Sequence, residues 1–139
     1  LTAEIERARR FRRRFSLCFF DLDGFKQFND THGHLQGDQA IKDAANLIRS
    51  NLRAHVDTCF RYGGDEFTIL MPETTKAQAR IVADRMRLRL CRFFHGEITA
   101  SIGIAESSPD GGAEHVIDKA DAAMYQAKAK GGNCIVLAD

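Results

Sequence analysis

The segment from Phe15 to Leu22 is apolar at odd and even positions alike, and it runs abruptly into Asp21, Leu22, Asp23 and Gly24. A strand burying one face would alternate apolar with polar residues, so this run predicts a central strand covered on both faces. Such a strand needs covering layers, and segments of helical period elsewhere in the chain can supply them. A carboxylate pair, Asp21 and Asp23, therefore sits at a strand's end.

The rest of the chain can be read around that strand. Residues 1–14 place Leu1, Ile5, Ala8 and Phe11 or Phe15 at helical spacing between charges, which predicts a leading helix with a polar outer face. Asp23 can N-cap a short helix through Asn29; a Gly33 turn follows, and Leu35 to Leu52 carries Ile41, Ala44, Ala45, Ile48 and Leu52 on one stripe. Asp57 to Tyr62 and Glu66 to Met71 flank Gly63 and Gly64, which predicts a hairpin with a two-residue turn at positive φ, its tip presenting Asp65 and Glu66. Pro72 ends that strand, and Thr75 to about Phe93 returns to helical period through Ala79, Val82, Ala83, Met86 and Leu90. A strand from about Glu97 to Ala105, a loop over Ser107 to Gly112, a helix from Ala113 to about Lys130 stopped by Gly131 and Gly132, and a strand from Cys134 to Leu137 complete the chain. The order αβααββαβαβ with one central hairpin implies an α+β domain, a mostly antiparallel sheet covered by helices. The chain's 139 residues, 44% hydrophobic, suit one compact domain with no internal linker or repeat.

Charge and cysteine content narrow the function classes. Lys and Arg number 20 against 19 Asp and Glu, so the overall charge of +1 implies neither a nucleic-acid footprint nor attraction to an anionic membrane. The cluster Arg7, Arg9, Arg10, Arg12, Arg13 and Arg14 is the one polyanion-binding feature. With no aromatic stacking platform beside it, a solvated helix face is the preferred reading, and no nucleic-acid partner is expected. Cys18, Cys59, Cys91 and Cys134 form no CxxC pair and are expected to be reduced, mostly buried thiols of a cytoplasmic protein. No apolar run approaches the roughly 20 residues that span a bilayer, so no direct membrane contact is expected.

The acidic residues point to a metal. Asp65 and Glu66 on a tight glycine turn cannot be buried unpaired, and Asp21 and Asp23 at a strand's end are natural neighbours in a small sheet. A cation would satisfy both sets. Hard oxygen ligands without histidine or cysteine favour Mg2+ or Mn2+, held by one or two carboxylates plus substrate phosphates. Solvated turn acids are the alternative on these residues alone.

The string Arg61-Tyr62-Gly63-Gly64-Asp65-Glu66-Phe67 resembles the signature of the GGDEF diguanylate cyclase family. Further segments match in the same order: Phe20-Asp21-Leu22-Asp23-Gly24-Phe25-Lys26 through Asn29-Asp30, Gly33-His34 to Gly37-Asp38, Ser101-Ile102-Gly103-Ile104-Ala105, and Ala120-Asp121-Ala122-Ala123-Met124-Tyr125-Gln126-Ala127-Lys128. The resemblance covers roughly residues 15–137 and implies a five-stranded, mainly antiparallel sheet similar to nucleotide cyclase and polymerase palm domains. It implies condensation of two GTP into cyclic di-GMP and two pyrophosphates across a transient homodimer, each protomer holding one GTP. By position it implies metal binding by Asp21, the Leu22 carbonyl and Asp65, with Asp65 also accepting the 3′-hydroxyl proton and Glu66 adding charge beside the metals. A strand residue paired with a basic neighbour is the alternative for Glu66. Asn29 and Asp38 match residues reading the guanine edge; Lys26 and Lys128 match phosphate-binding lysines; Gly63 and Gly64 let phosphate approach the backbone. His34 matches a substrate contact, with a loop-holding turn histidine as the alternative.

This chain departs from the family pattern in three places. Gly131-Gly132-Asn133 stands where the family usually has Gly-Arg-Asn, so a phosphate-contacting arginine is missing and triphosphate affinity could suffer. The Arg-x-x-Asp of the family's product-inhibition site keeps Asp57 in register but has Ala54 at the arginine position and Arg53 one residue early, which argues against inhibition there. The family's opening Asp-x-Leu-Thr-Gly-Leu-x-Asn-Arg-Arg segment is absent, consistent with residues 1–139 being an N-terminally truncated catalytic domain whose regulatory domain lies N-terminal in a longer protein. A catalytically silent receptor for GTP or cyclic di-GMP is the alternative function.

Overall fold

The computed structural model describes residues 1–10 and 13–139; Phe11 and Arg12, expected in the leading helix and the arginine cluster, lie outside the described residues, as does the Arg9 side chain. The element order is α1 (Thr2–Arg10), β1 (Phe15–Asp23), α2 (Phe25–His32), α3 (His34–Ser50), β2 (Thr58–Arg61), β3 (Glu66–Pro72), α4 (Lys76–Phe93), β4 (Thr99–Glu106), α5 (Ala113–Ala129) and β5 (Cys134–Leu137). It reproduces the order read from the sequence.

Strand β1 is central because both its faces are apolar, and the sheet order is β2-β3-β1-β4-β5. It pairs antiparallel with β3 and with β4, β2 pairs antiparallel with β3, and β4 and β5 run parallel. Alternation then sorts its side chains. Cys18, Phe20 and Leu22 pack with Ile41, Ala44 and Ile48 of α3 and Ala83, Met86 and Leu90 of α4. Phe15, Leu17 and Phe19 pack with Ile5 of α1 and Val116, Ala120 and Met124 of α5. Continuing the odd series, Asp21 and Asp23 emerge at the strand's end on the α5 side. Helix α5 lies so close to the sheet that a Cβ on Gly103 of β4 would sit 2.2 Å from the Met124 nitrogen. This glycine sets the depth at which α5 rides over the strand end.

Several local expectations are corrected. Asp23 does not cap α2; Gly24, at φ 77, occupies the cap position with no side-chain bond, because the Asp23 carboxylate is taken by Thr99, Ser101 and Asn133. The β2–β3 connection spans residues 62–65, four rather than two, with the Tyr62 N–H donating to the Glu66 carbonyl at 2.9 Å. Neither Gly63 nor Gly64 is among the positive-φ glycines. The Arg61 guanidinium instead donates to the carbonyls of both glycines, at 3.1 and 2.8 Å, and holds the loop in a wider bend. All four cysteines are free thiols, but only Cys18 is buried, with its pKa pushed up to about 12 by that burial; the other three are half-buried. Among the described residues no helix is long and apolar enough to cross a membrane.

Candidate active site

Three backbone segments meet where β1 ends. Asp21 lies directly opposite Glu66 in the β1–β3 ladder and opposite Ser101 in the β1–β4 ladder. The Leu22 N–H donates to the Asp65 carbonyl at 3.0 Å, which ties the 63–65 loop to the strand end. Asp21, Leu22, Asp65 and Glu66, drawn from opposite halves of the chain's first 70 residues, are thus brought together. Lys128, in the last turn of α5, reaches down from the helix layer to Asp21 Oδ2 at 3.0 Å and Asp23 Oδ1 at 3.7 Å.

The electrostatics of this corner are unfinished. Asp21 is buried, and its Oδ1 has no hydrogen-bond partner. Among the described residues, the side chains of Asp65 and Glu66 take no hydrogen bond and no ion pair, so Glu66 pairs with no basic neighbour. Like charges opposed across an antiparallel ladder repel. The Asp21 pKa is raised to about 6: burial pushes it up most, the hydrogen bond and charge of Lys128 pull it down, and the charges of Asp65 and Glu66 add to the rise. Burial opposes the charge on Lys128, yet its hydrogen bond to Asp21 and the charges of Asp21, Asp23 and Asp65 hold its pKa above the ordinary value. Three carboxylates against one ammonium, with a buried oxygen left over, form a donor set that fits a hard divalent cation. Among the described residues no three His, Cys, Asp or Glu side chains converge into a complete cage. Magnesium shared with substrate phosphates does not need one.

The loop is also shaped for phosphate. With the carbonyls of Gly63 and Gly64 gathered by Arg61, the N–H groups of residues 63–65 carry no acceptor among the described residues, and they stand on side-chain-free backbone.

A second group of expected residues lies on α2 and α3. Asn29 Nδ2 and His34 Nδ1 are 3.0 Å apart, so the amide donates to the ring when the imidazole proton is on Nε2. The turn histidine thus faces the Asn29 side chain. Asp38 is exposed in the first part of α3, and Lys26 is exposed in the first turn of α2, neither with a hydrogen bond or ion pair among the described residues. No bond joins this group to the acidic corner. A Cβ on Gly37 would fall 1.9 Å from Asn29 Oδ1, so Gly37 is the space in which the Asn29 amide rests.

Two positioning features escaped the sequence reading. Asp23 is fully engaged: Oδ1 accepts from Ser101 Oγ at 2.7 Å, and Oδ2 from Thr99 Oγ1 at 3.0 Å and the Asn133 N–H at 2.9 Å. It pins the turn after α5 to the end of β1, and so fixes the backbone that carries Lys128. Gly132, at φ 78, lies against this carboxylate; a Cβ there would be 2.9 Å from Asp23 Oδ2. An arginine at this position would be strained by the backbone and would press on Asp23. At the second departure, Arg53 turns onto Asp57 itself, with Nη2 2.7 Å from Oδ1, and also donates to the Pro72 carbonyl and Thr74 Oγ1.

A mainly antiparallel five-stranded sheet under helices, with paired carboxylates at the end of its central strand, defines an α+β domain with an acidic corner. Comparison with protein families matches residues 1–134 to "Diguanylate cyclase, GGDEF domain", and the chain belongs to this GGDEF family. It is 42% identical over 139 residues to the bifunctional diguanylate cyclase/cyclic di-GMP phosphodiesterase MucR of Pseudomonas aeruginosa, covering 96% of this chain and 20% of MucR. It is 38% identical over 130 residues to the response regulator PleD of Caulobacter vibrioides, covering 87% of this chain and 28% of PleD. The chain therefore spans less than a third of either relative. Among solved structures, the active GGEEF domain of a diguanylate cyclase from Vibrio cholerae superposes with a TM-score of 0.89 at 31% identity, covering 99% of this chain and 91% of that one. The GGDEF domain of DgcB from Caulobacter crescentus, in complex with c-di-GMP, superposes with a TM-score of 0.88 at 30% identity, covering 99% and 85%.

Proposed function

We propose that residues 1–139 form one catalytic domain that condenses two GTP into cyclic di-GMP and two pyrophosphates. The observation that carries this reading is the unpartnered Oδ1 of buried Asp21, in a corner shared with Asp65 and Glu66. Asp21, the Leu22 carbonyl and Asp65 would hold the divalent cations. Such ions, when bound, would lower the pKa of the 3′-hydroxyl and offset charge on the attacking and leaving oxygens. Asp65 accepts the hydroxyl proton, and Glu66 keeps the local potential negative. The free N–H groups of the 63–65 loop and the Lys26 and Lys128 ammonium groups draw in the triphosphate. Asn29 and Asp38 orient the base, since a carboxylate accepts from guanine N1–H and N2–H₂, a donor pair adenine lacks at that edge.

One protomer holds one GTP, so two must meet about a two-fold axis for each 3′-hydroxyl to face the other's α-phosphate. Product formation should therefore rise with about the square of protein concentration when dilute, and strict proportionality would contradict the homodimer. The GTP requirement favours a cytoplasmic location. MucR is named as a bifunctional diguanylate cyclase/cyclic di-GMP phosphodiesterase and PleD as a response regulator, each much longer than this chain, and we propose that this domain likewise works with a regulatory region. The silent-receptor reading draws on Gly132, which leaves the triphosphate without the family's usual arginine. Incubation with GTP and Mg2+ followed by chromatography separates the two readings. Wild type should yield cyclic di-GMP and Asp65→Asn none while staying folded; unchanged GTP with wild type would favour the receptor.

A further inference from the structure

Lys128 has two carboxylates to choose between, and they differ in what else they hold. Asp21 Oδ2, 3.0 Å from the ammonium, belongs to a side chain with no other partner. Asp23 Oδ1, 3.7 Å away, belongs to a carboxylate already accepting from Ser101, Thr99 and the Asn133 N–H. Asp23 therefore cannot turn toward an incoming ion without breaking three hydrogen bonds, whereas Asp21 can exchange its single partner. The Lys128 side chain is 39% exposed, so its ammonium can swing while α5, seated on Gly103, stays fixed.

Resting on the reading of Asp21 as an ion ligand, we propose that Lys128 is a resident counterion that must release Asp21 before a divalent cation enters, passing to the nucleotide's phosphate while Asp23 holds it at the rim. The lysine then competes with metal and cooperates with nucleotide. Without substrate it stands in part for the missing positive charge, and it discourages a bare ion from settling in the corner. When a triphosphate arrives with its cation, the ammonium has a second anion to pair with and gives up Asp21 at little cost. Metal and nucleotide affinity are thereby coupled through one side chain, which a lysine serving phosphate alone would not do.

Opposite signs in two titrations test this. The first follows Mn2+ alone binding to the nucleotide-free domain at low ionic strength, by electron paramagnetic resonance, for wild type, Lys128→Met, Lys128→Arg and Asp21→Asn. Lys128→Met should bind Mn2+ about five- to tenfold more tightly than wild type, in line with losing a half-exposed ion pair that competes for the site. Lys128→Arg, which keeps the charge, should bind no more tightly than wild type, and Asp21→Asn should remove the site. The second titrates a non-hydrolysable GTP analogue at saturating Mn2+, where Lys128→Met should bind about tenfold more weakly. If Lys128→Met binds Mn2+ no better than wild type while Asp21→Asn still abolishes binding, the exchange is wrong and the metal site stands. If Asp21→Asn leaves Mn2+ binding intact, no ion sits on Asp21, and both this proposal and the reading beneath it fall.

Discussion

Asp21 and Asp57 are both nearly buried carboxylates, their side chains 9% and 4% exposed, and their surroundings treat them in opposite ways. Asp57 accepts from the backbone N–H, Nε and Nη2 of Arg53, whose guanidinium is itself tied to the Pro72 carbonyl and Thr74 Oγ1. Asp21 has one ammonium on one oxygen and nothing on the other, with Glu66 opposite. A buried carboxylate met on every side by its own chain is architecture, whereas one left half-met keeps a place for something that arrives later.

Substitution at the two positions should break along this line. The largest effect expected is on turnover: Asp21→Asn should lower cyclase activity by about 10² to 10³-fold, the scale of losing one electrostatic contact to the transition state. Asp57→Asn should leave turnover per folded molecule within about twofold. Steady-state product chromatography on both variants checks this, and equal losses would erase the distinction. Stability should reverse the order. Asp57→Ala removes the partner of a half-exposed arginine and should cost about 1–3 kcal/mol in urea unfolding, discounted from the cost of breaking a fully buried pair.

Asp21→Asn should instead stabilise the metal-free domain at high pH. Its folded pKa, raised to about 6 against an ordinary 3.8, means that the folded protein holds the proton more tightly than the unfolded chain. The stability tied to that proton is fully present below the unfolded value and is lost as pH rises through about 6. At pH 8 Asp21→Asn should be more stable than wild type by about 1 kcal/mol, part of the linkage gain being offset by the lost Lys128 contact, and the advantage should shrink toward pH 4. Thermal melts in chelator across that range measure it. The smallest effect belongs to the α2–α3 group. Gly37→Ala would place a methyl on the Asn29 amide, and it should raise the KM for GTP by about three- to tenfold with kcat less affected, as expected for a loss of binding rather than chemistry.

Much of the fold is legible in the sequence. The two-parity run of Phe15 to Leu22 announced a central strand, and the residues of α3, α4 and α5 fell on the helical periods that cover it. The carboxylates of Asp21 and Asp65 were read as neighbours because strand ends and hairpin tips meet in small sheets, and their families of motif residues named the rest. What stayed hidden depends on contacts across long stretches of chain. Asp23 looked like a cap for α2, since nothing local shows that Asn133, 110 positions away, and two β4 hydroxyls claim its carboxylate. Paired glycines in a hairpin turn suggest positive φ, but Arg61 gathers the loop carbonyls and permits a wider bend. Gly37 was visible only as part of a motif string, because its purpose, room for the Asn29 side chain, exists only once α2 and α3 pack.

Asp21 and Asp65 should share an ion with a bound nucleoside triphosphate. A crystal structure of the domain with Mn2+ and a non-hydrolysable GTP analogue, phased to show the metal's anomalous signal, tests it most directly. A metal peak should lie within about 2.0–2.3 Å of Asp21 Oδ1 and of an Asp65 carboxylate oxygen, with Lys128 moved from Asp21 to a phosphate oxygen. A metal peak on the phosphates alone, with Lys128 still on Asp21, would contradict it.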